Sequence, residues 1–83
     1  MENNLRGIRD IIAFTSYLRD RKIWHAFQQT ADDYITVRVD ILNSRIEVDF
    51  YEDHVEYNHF DGREDILTDQ IKLFAMLRHF VEG

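Results

Sequence analysis

The chain contains no cysteine and no proline, and glycine occurs only three times in its 83 residues. Without cysteine there can be no disulfide, no thiol nucleophile and no cysteine-ligated zinc site. With so little proline and glycine, turns must be made by Asn, Asp and Ser, or be marked by a change of hydrophobic pattern. No apolar run approaches membrane-spanning length, and the N-terminus lacks the basic start and apolar core of a signal peptide. We therefore expect a soluble, cytoplasmic protein.

Hydrophobic residues make up 45% of the chain and include six Phe, four Tyr and one Trp, which is enough apolar material for one small domain over residues 1–83. The net charge of −6 is unevenly placed, because residues 31–69 carry twelve acidic and three basic groups. Phosphate backbones require a focused basic surface, and this sequence has none. Direct nucleic-acid binding is therefore disfavoured, and a basic protein partner is expected.

Residues 4–29 have the apolar spacing of a helix, but this spacing changes phase at residues 19–22. The first apolar stripe consists of Ile8, Ile11, Ile12, Thr15 and Leu18. A second stripe, formed by Ile23, Trp24 and Phe27, is rotated by roughly a third of a turn. Either the helix kinks at residues 19–22, or a straight helix buries two faces, the second against another chain. A core tryptophan in a kinked helix is the favoured interpretation of Trp24, with an interface as the alternative.

Three later segments alternate between apolar and polar residues, as half-buried strands do. They span residues 34–41, 45–51 and 54–60. The inward positions are Ile35, Val37, Val39 and Ile41 in the first segment, Ile46, Val48 and Phe50 in the second, and Val55, Tyr57 and His59 in the third.

The loops between these strands predict their register. Leu42-Asn43-Ser44-Arg45 has turn composition, and a four-residue loop there pairs Ile41 with Ile46. A loop of two or four residues around Glu52–Asp53 pairs Phe50 with Val55. A three-residue loop would move the apolar residues to the wrong face, so the even loop is predicted.

A second helix is predicted directly after the third strand. Asp61 and Glu64 have the spacing of a capping box, which places the helix start at Asp61. Its apolar face consists of Ile66, Leu67, Leu73, Phe74, Leu77, Phe80 and Val81. The sequence thus predicts an α+β domain of two layers: helix, three-stranded antiparallel β-meander, helix, with both helices on one sheet face.

Residues 49–62, "DFYEDHVEYNHFDG", concentrate seven acidic or histidine side chains. A zinc or iron site needs three or four convergent ligands, but His54 and His59 are five residues apart on a strand and point to opposite faces. A catalytic pair formed by Asp49 and Glu56 would need a cleft that separates their pKa values, and an open sheet face offers water instead. We expect no enzyme activity, no metal and no cofactor.

The polar face of the predicted sheet is the remaining candidate site. In the predicted register Asp40 stands opposite Glu47 and Asp49 opposite Glu56, and like charges that face one another across strands are destabilising. A plain solvated face is one interpretation. The other is a docking surface for a basic protein, since Tyr51 adds an aromatic anchor to the acidic groups.

The segments "VRVDI", "RIEVDFYEDHVEY", "FDG" and "ILTDQIKLF", within residues 35–74, resemble a type of short bacterial protein. Such proteins have a strand, an I-E-hydrophobic-x-F strand, an acidic Glu-Asp turn, a V-E strand and a closing helix. Some are similar to immunity proteins of toxin systems, which are small acidic inhibitors that cap a basic active site, and phage inhibitors use comparable designs. The resemblance implies a bacterial or phage immunity or inhibitor protein whose partner is a toxin or a nucleic-acid-binding enzyme.

The leading hypothesis is a small acidic protein-binding module that occludes a basic surface of its partner. The predicted contact residues are Asp40, Glu47, Asp49, Tyr51, Glu52, Asp53 and Glu56. The alternative is a homodimeric structural or adaptor module without inhibitory activity, which the two-phase pattern of the first helix favours.

Overall fold

The structure, a computed structural model, describes residues 4–28, 32–41, 44–60 and 66–82. A short 3₁₀ turn, Ile8–Asp10, leads into the first helix. The helices and strands that follow are α1 (Ile11–Asp20), β1 (His25–Gln28), β2 (Tyr34–Ile41), β3 (Ser44–Tyr51), β4 (Val55–Phe60), β5 (Ile66–Leu67) and α2 (Gln70–Glu82). The protein is α+β, as predicted.

The five strands found in the described residues form one antiparallel sheet, in which the spatial order equals the chain order, β1-β2-β3-β4-β5. The prediction of a three-stranded meander is therefore wrong. Its three strands form the centre of the sheet, and one further strand lies at each edge. Both extra strands, β1 and β5, come from segments that the hydrophobic spacing had assigned to helices.

Helix α1 ends at Asp20 because the chain there forms a Schellman motif. The backbone N–H of Ile23 donates to the carbonyl oxygen of Leu18 at 2.9 Å, and that of Lys22 donates to Arg19 at 3.0 Å. Lys22 takes the left-handed conformation that this motif requires, with φ of 58°. Glycine usually occupies that position, but here the residue is a lysine, so no glycine in the sequence marks the end of the helix.

The second apolar stripe of the N-terminal segment belongs to an extended chain, so both the kinked helix and the straight two-faced helix are wrong. Ile23 is buried, at 2% exposure, whereas Trp24 and Phe27 are 56% and 61% exposed. Trp24 is thus not a core residue. The segment is rich in β-branched and aromatic residues, which favour strands, and its pairing with β2 overrides the helical spacing.

The two central hairpins differ in how well their register was predicted. Strand β4 pairs with β3 as expected, with Phe50 opposite Val55. In the β2–β3 hairpin, however, Ile41 pairs with Ser44, and Ile46 stands opposite Val39 rather than Ile41. The loop therefore has two residues, 42–43, which lie outside the described part of the chain, and Ser44 and Arg45 belong to β3. Both loop lengths keep the apolar residues on one face, so the alternation cannot choose between them.

The core lies between the inner face of the sheet and the two helices, which share that face as predicted. The Phe14 ring of α1 lies 5.5 Å from the Phe50 ring of β3 and 6.0 Å from the Phe74 ring of α2. Tyr17 and Phe74 pack edge to face at 5.2 Å. The buried residues are Leu5, Phe14, Tyr17, Leu18, Ile23, Val37, Val39, Ile46, Val48, Phe50, Val55, Tyr57, Leu73, Phe74 and Leu77.

Helix α2 begins later than predicted. Ile66 and Leu67 form β5, and the Asp69 carboxylate accepts a hydrogen bond from the backbone N–H of Lys72 at 3.2 Å, so Asp69 is the N-cap. The predicted cap, Asp61 with Glu64, lies outside the described residues. Of the residues predicted for the apolar face of this helix, Leu73, Phe74 and Leu77 are buried, and Leu67, which belongs to β5, is half-buried. The side chains of Ile66, Phe80 and Val81 lie outside the described part.

The segment before the first helix is held across the end of the domain. The Gln70 side-chain amide donates to the carbonyl oxygen of Leu5 and accepts from its N–H, both at 2.7 Å. Two residues later, Gly7 lies against the β3–β4 turn. A Cβ atom at Gly7 would lie 2.4 Å from the carbonyl oxygen of Glu52 and 2.8 Å from that of Tyr51.

The substitution Gly7→Ala should therefore lower the free energy of unfolding by about 1–3 kcal/mol, because two backbone atoms would have to move. The matched control is Arg9→Ala, which truncates an exposed side chain and should change the value by less than about 0.5 kcal/mol. Urea unfolding measures both variants. Equal stabilities for Gly7→Ala and the unsubstituted protein would contradict the close packing of this segment on the turn.

Candidate functional site

The predicted contact residues lie on the outer face of the sheet and on one of its turns. Asp40, Glu47, Asp49, Tyr51 and Glu56 occupy strand positions that alternate with the buried residues of β2, β3 and β4. Glu52 and Asp53 form the turn between β3 and β4, which is closed by a 3.0 Å hydrogen bond from the Tyr51 N–H to the carbonyl oxygen of His54. The structure thus places five of the seven on the outer face and two in the adjoining turn, and their charged neighbours divide the seven into two groups.

The first group is electrically balanced by arginine. Arg38 stands opposite Glu47, and Asp40 stands opposite Arg45. The same four side chains also pair along each strand: Arg38 Nε lies 3.2 Å from Asp40 Oδ1, and Arg45 Nε lies 3.6 Å from Glu47 Oε2. The predicted opposition of Asp40 and Glu47 is wrong, because it depended on the four-residue β2–β3 loop. Asp40 and Glu47 therefore both have arginine partners, although the charge of Glu47 still acts on Asp49.

Aromatic rings cover the arginines of this balanced group. The Arg38 guanidinium lies 5.7 Å from the centroid of the Trp24 ring, and the Arg45 guanidinium lies 4.9 Å from that of Phe60. Such cation–π contacts attract a guanidinium to the face of the ring and hold it in place. The balanced part of the face thus already satisfies its own charges.

The second group is acidic. Asp49 stands opposite Glu56, as predicted. An Asp49 carboxylate oxygen accepts a 2.7 Å hydrogen bond from the hydroxyl of Thr36, which is itself buried. Partial burial raises the pKa of Asp49 above its ordinary value of 3.8; the Thr36 hydrogen bond opposes this, and the charges of Glu47 and Glu56 add to it.

Three aromatic rings in contact with one another, the ring row, border these carboxylates. The Tyr34 and Tyr51 rings lie 4.8 Å apart across β2 and β3. The His54 imidazole stacks on the Tyr51 ring, with centroids 4.4 Å apart and ring planes inclined by only 7°. We call the set formed by these rings and the adjoining carboxylates the acidic end; it comprises Tyr34, Asp49, Tyr51, Glu52, Asp53, His54 and Glu56.

His54 is tied to two carboxylates of the acidic end. Its Nδ1 lies 2.7 Å from Asp53 Oδ1, and its Nε2 lies 3.5 Å from Glu56 Oε2. The hydrogen bond with Asp53 is the main reason that the pKa of His54 is raised above 6.5, and the charges of Asp53 and Glu56 contribute further. A protonated His54 would neutralise part of the acidic end, so the net charge of the acidic end depends on pH.

Sequence reasoning did not include Tyr34 and His54 among the contact residues. With the four-residue β2–β3 loop, Tyr34 would face Asp53; in the structure it faces Tyr51. A two-residue loop would therefore have revealed the ring pair. The sequence predicts that His54 lies in a turn, but no sequence pattern predicts that its ring stacks on the Tyr51 ring.

The arrangement offers a charged contact surface. Across the described ranges, no group of three or more His, Asp or Glu side chains is placed to hold a metal ion. A cleft of about 520 Å³ beside the β3–β4 turn is lined by Arg6, Ile8, Arg9, Glu52 and Asp53. Asp49 and Glu56 lie instead on the sheet face. His59 is on the other side of the sheet, opposite Ile46, as predicted.

Comparisons of the chain with protein-family models, with curated proteins and with solved structures found no match. Neither α1 nor α2, as far as the described residues go, is long and apolar enough to cross a membrane.

Replacing the Asp49 carboxylate should stabilise the protein. In Asp49→Asn the amide oxygen can still accept the Thr36 hydrogen bond, while the repulsion from Glu56 is removed, so the free energy of unfolding at pH 7 should rise by about 0.2–1 kcal/mol. The folded protein keeps a proton on Asp49 to higher pH than the unfolded chain does, so ionisation of Asp49 costs stability. The gain should therefore shrink as the pH falls through the pKa of Asp49.

The matched control is Asp40→Asn, the same change on the same face within the balanced group. It removes the ion pair with Arg38 and should lower the free energy of unfolding by about 0.2–1 kcal/mol. Urea unfolding between pH 7 and pH 4 measures both variants. Destabilisation by Asp49→Asn at pH 7 would contradict the description of Asp49 as a repelled carboxylate.

The raised pKa of His54 should depend on Asp53. In Asp53→Asn the pKa of His54 should fall towards 6.5, whereas Asp20→Asn, an exposed change on α1, should leave it unchanged. Because the folded-state pKa is raised, His54 contributes stability at pH below its unfolded value, and this contribution is lost as the pH rises through the folded value. An NMR titration of the imidazole resonances measures the pKa, and an equal pKa in all three proteins would contradict the pairing.

Proposed function

We propose that this chain is a small acidic protein-binding module, an immunity or inhibitor protein that occludes a basic surface of a partner protein through its acidic end. One observation carries the proposal: Asp49 and Glu56 face one another and, among the residues that the structure describes, have no arginine partner, while Asp40 and Glu47 on the same face are matched by Arg38 and Arg45.

A repelled pair of carboxylates lowers stability, so its presence is explained if another molecule supplies the missing positive charge. A guanidinium or ammonium group placed between Asp49 and Glu56 would favour their charged forms and bring the pKa of Asp49 down. Binding then relieves the repulsion between Asp49 and Glu56, and this relief contributes to the free energy of binding. An arginine-rich partner is favoured, since guanidinium matches carboxylates in geometry and also stacks on aromatic rings.

The ring row supports binding because its geometry exists before any partner arrives. The rings of Tyr34, Tyr51 and His54 are already in contact, with neighbouring centroids 4.4–4.8 Å apart. Aromatic side chains held in this way lose little conformational entropy when they become buried. Tyrosine is among the residues that most often dominate the energy of protein interfaces.

The mechanism that follows is steric and electrostatic occlusion. Toxins and enzymes that act on nucleic acids present basic surfaces to their substrates, and an acidic protein seated on such a surface excludes the phosphate backbone. The partner is therefore a basic protein, and this chain has no direct role in nucleic-acid or membrane binding. The cytoplasm, where such enzymes act, is the compartment in which it would work.

Affinity capture from the native host tests the proposal with two paired variants. Asp49→Asn with Glu56→Gln should reduce capture of the partner at least about tenfold, since two charge-assisted contacts are lost. Asp40→Asn with Glu47→Gln removes the same charge from the balanced group and should capture the partner almost as well as the unsubstituted chain. Mass spectrometry identifies the protein whose capture follows this pattern.

The captured protein, once purified, should be basic, and its binding should weaken as salt is added. Its activity should fall in the presence of the unsubstituted chain and recover with the Asp49–Glu56 variant. Equal capture by both variants would contradict the assignment of the site to the acidic end. If a partner is captured in this pattern but its activity is unaffected, the acidic end would still be the binding surface, and the inhibitory role would be wrong.

A further inference from the structure

Strand β1 is the outermost strand on one side of the sheet, and half of its backbone groups point away from β2. The carbonyl oxygen of Trp24 accepts a 3.1 Å hydrogen bond from the N–H of Asp40 in β2. Backbone groups alternate in direction along a strand, so those of Ala26 and Gln28 also face β2. The N–H and C=O groups of His25 and Phe27 therefore face the open edge.

This edge lacks the features that normally prevent strands from joining. Residues 23–28, "IWHAFQ", contain no lysine, arginine, aspartate, glutamate or proline. Soluble proteins usually protect an edge strand with such residues. Here the edge instead carries a large exposed ring on each side, because Trp24 is 56% exposed on the outer face and Phe27 is 61% exposed at the rim of the inner one.

We propose that a second copy of this chain pairs with β1 across a twofold axis at Ala26. In this antiparallel arrangement His25 of one copy and Phe27 of the other exchange both backbone hydrogen bonds, which gives four bonds in the symmetric pair. Trp24 then lies beside Gln28 of the second copy. The result is one continuous sheet that runs through both copies.

The backbone contacts of Ile23 select this register. A pairing centred on His25 would require the N–H and C=O of Ile23, but that N–H already donates to Leu18 at 2.9 Å. The Ile23 carbonyl oxygen lies 3.0 Å from Nδ1 of His25. The pairing centred on Ala26 uses only groups that face the open edge.

Charge complementarity favours a second copy as the occupant. Two exposed cations, Arg21 and Lys22, precede β1, and two exposed carboxylates, Asp32 and Asp33, lie beyond its other end. Antiparallel pairing brings the start of one β1 beside the end of the other, so opposite charges approach at both ends of the interface. The acidic end lies on other strands and in another turn, so this inference does not depend on its function.

Solution mass gives the first test. Sedimentation at micromolar concentration should yield about 20 kDa, twice the 10.1 kDa of the chain. Phe27→Pro removes the N–H that the dimer uses and the monomer does not, and proline is tolerated on an edge strand when its nitrogen faces outward. The dissociation constant of Phe27→Pro should exceed that of Phe27→Ala, which loses only the side chain, by about tenfold or more.

Cross-linking tests the register itself, and the absence of native cysteine makes it unambiguous. In the proposed pairing the two Ala26 residues face one another with Cα atoms about 4.5 Å apart, so Ala26→Cys should form a disulfide-linked dimer under mild oxidation. The control Gln28→Cys places its two thiols about 13 Å apart or more along the strands and should not cross-link. A monomeric unsubstituted protein, equal dissociation of the two Phe27 variants, or equal cross-linking of the two cysteine variants would each overturn the proposal.

Discussion

The pairing of β2 with β3 determines where negative charge accumulates on this protein. With a two-residue hairpin loop, Arg38 meets Glu47 and Asp40 meets Arg45, so four charged side chains satisfy one another on the outer face. The next position along the same strands has Thr36 beside Asp49, and a hydroxyl carries no charge. Because β4 then brings Glu56 next to Asp49, the repulsion is confined to one end of the sheet. A shift of two residues would place Asp40 against Glu47 and Arg38 against Asp49, so a further pair of like charges would meet nearer the β2–β3 loop.

The left-handed turn at Lys22 determines the structure of the β1 edge of the sheet. It ends α1 and turns the chain into β1, so the rings of Trp24 and Phe27 lie at a sheet edge instead of on a helix. The protein thus presents two surfaces of different chemistry. The acidic end offers carboxylates and stacked rings, and the β1 edge offers backbone hydrogen-bonding groups and apolar rings. The two surfaces are separate, so a dimer through β1 would carry two acidic ends.

Much of this architecture could be predicted from the sequence, and the failures have physical reasons. The α+β class, the buried face of α2 and the facing of Asp49 and Glu56 follow from apolar periodicity and from a turn whose length the alternation constrains. The helix end at Asp20 could not be read, since lysine stands where a glycine would mark it. The β2–β3 register could not be chosen because loops of two and four residues preserve the same alternation. Only the two-residue loop pairs Arg38 with Glu47 and Arg45 with Asp40. The pairing of opposite charges would therefore have predicted the correct loop length, whereas the hydrophobic pattern could not.

The central claim is that Asp49 and Glu56 repel one another across β3 and β4 in the free protein. A carbon-detected NMR titration of the Asp49 carboxyl group, in the unsubstituted chain and in Glu56→Gln, tests it most directly. The account predicts a pKa above 3.8 in the unsubstituted chain and a lower pKa in Glu56→Gln, where burial and the charge of Glu47 still hold the value up. A pKa at or below 3.8, or one that Glu56→Gln leaves unchanged, would contradict it.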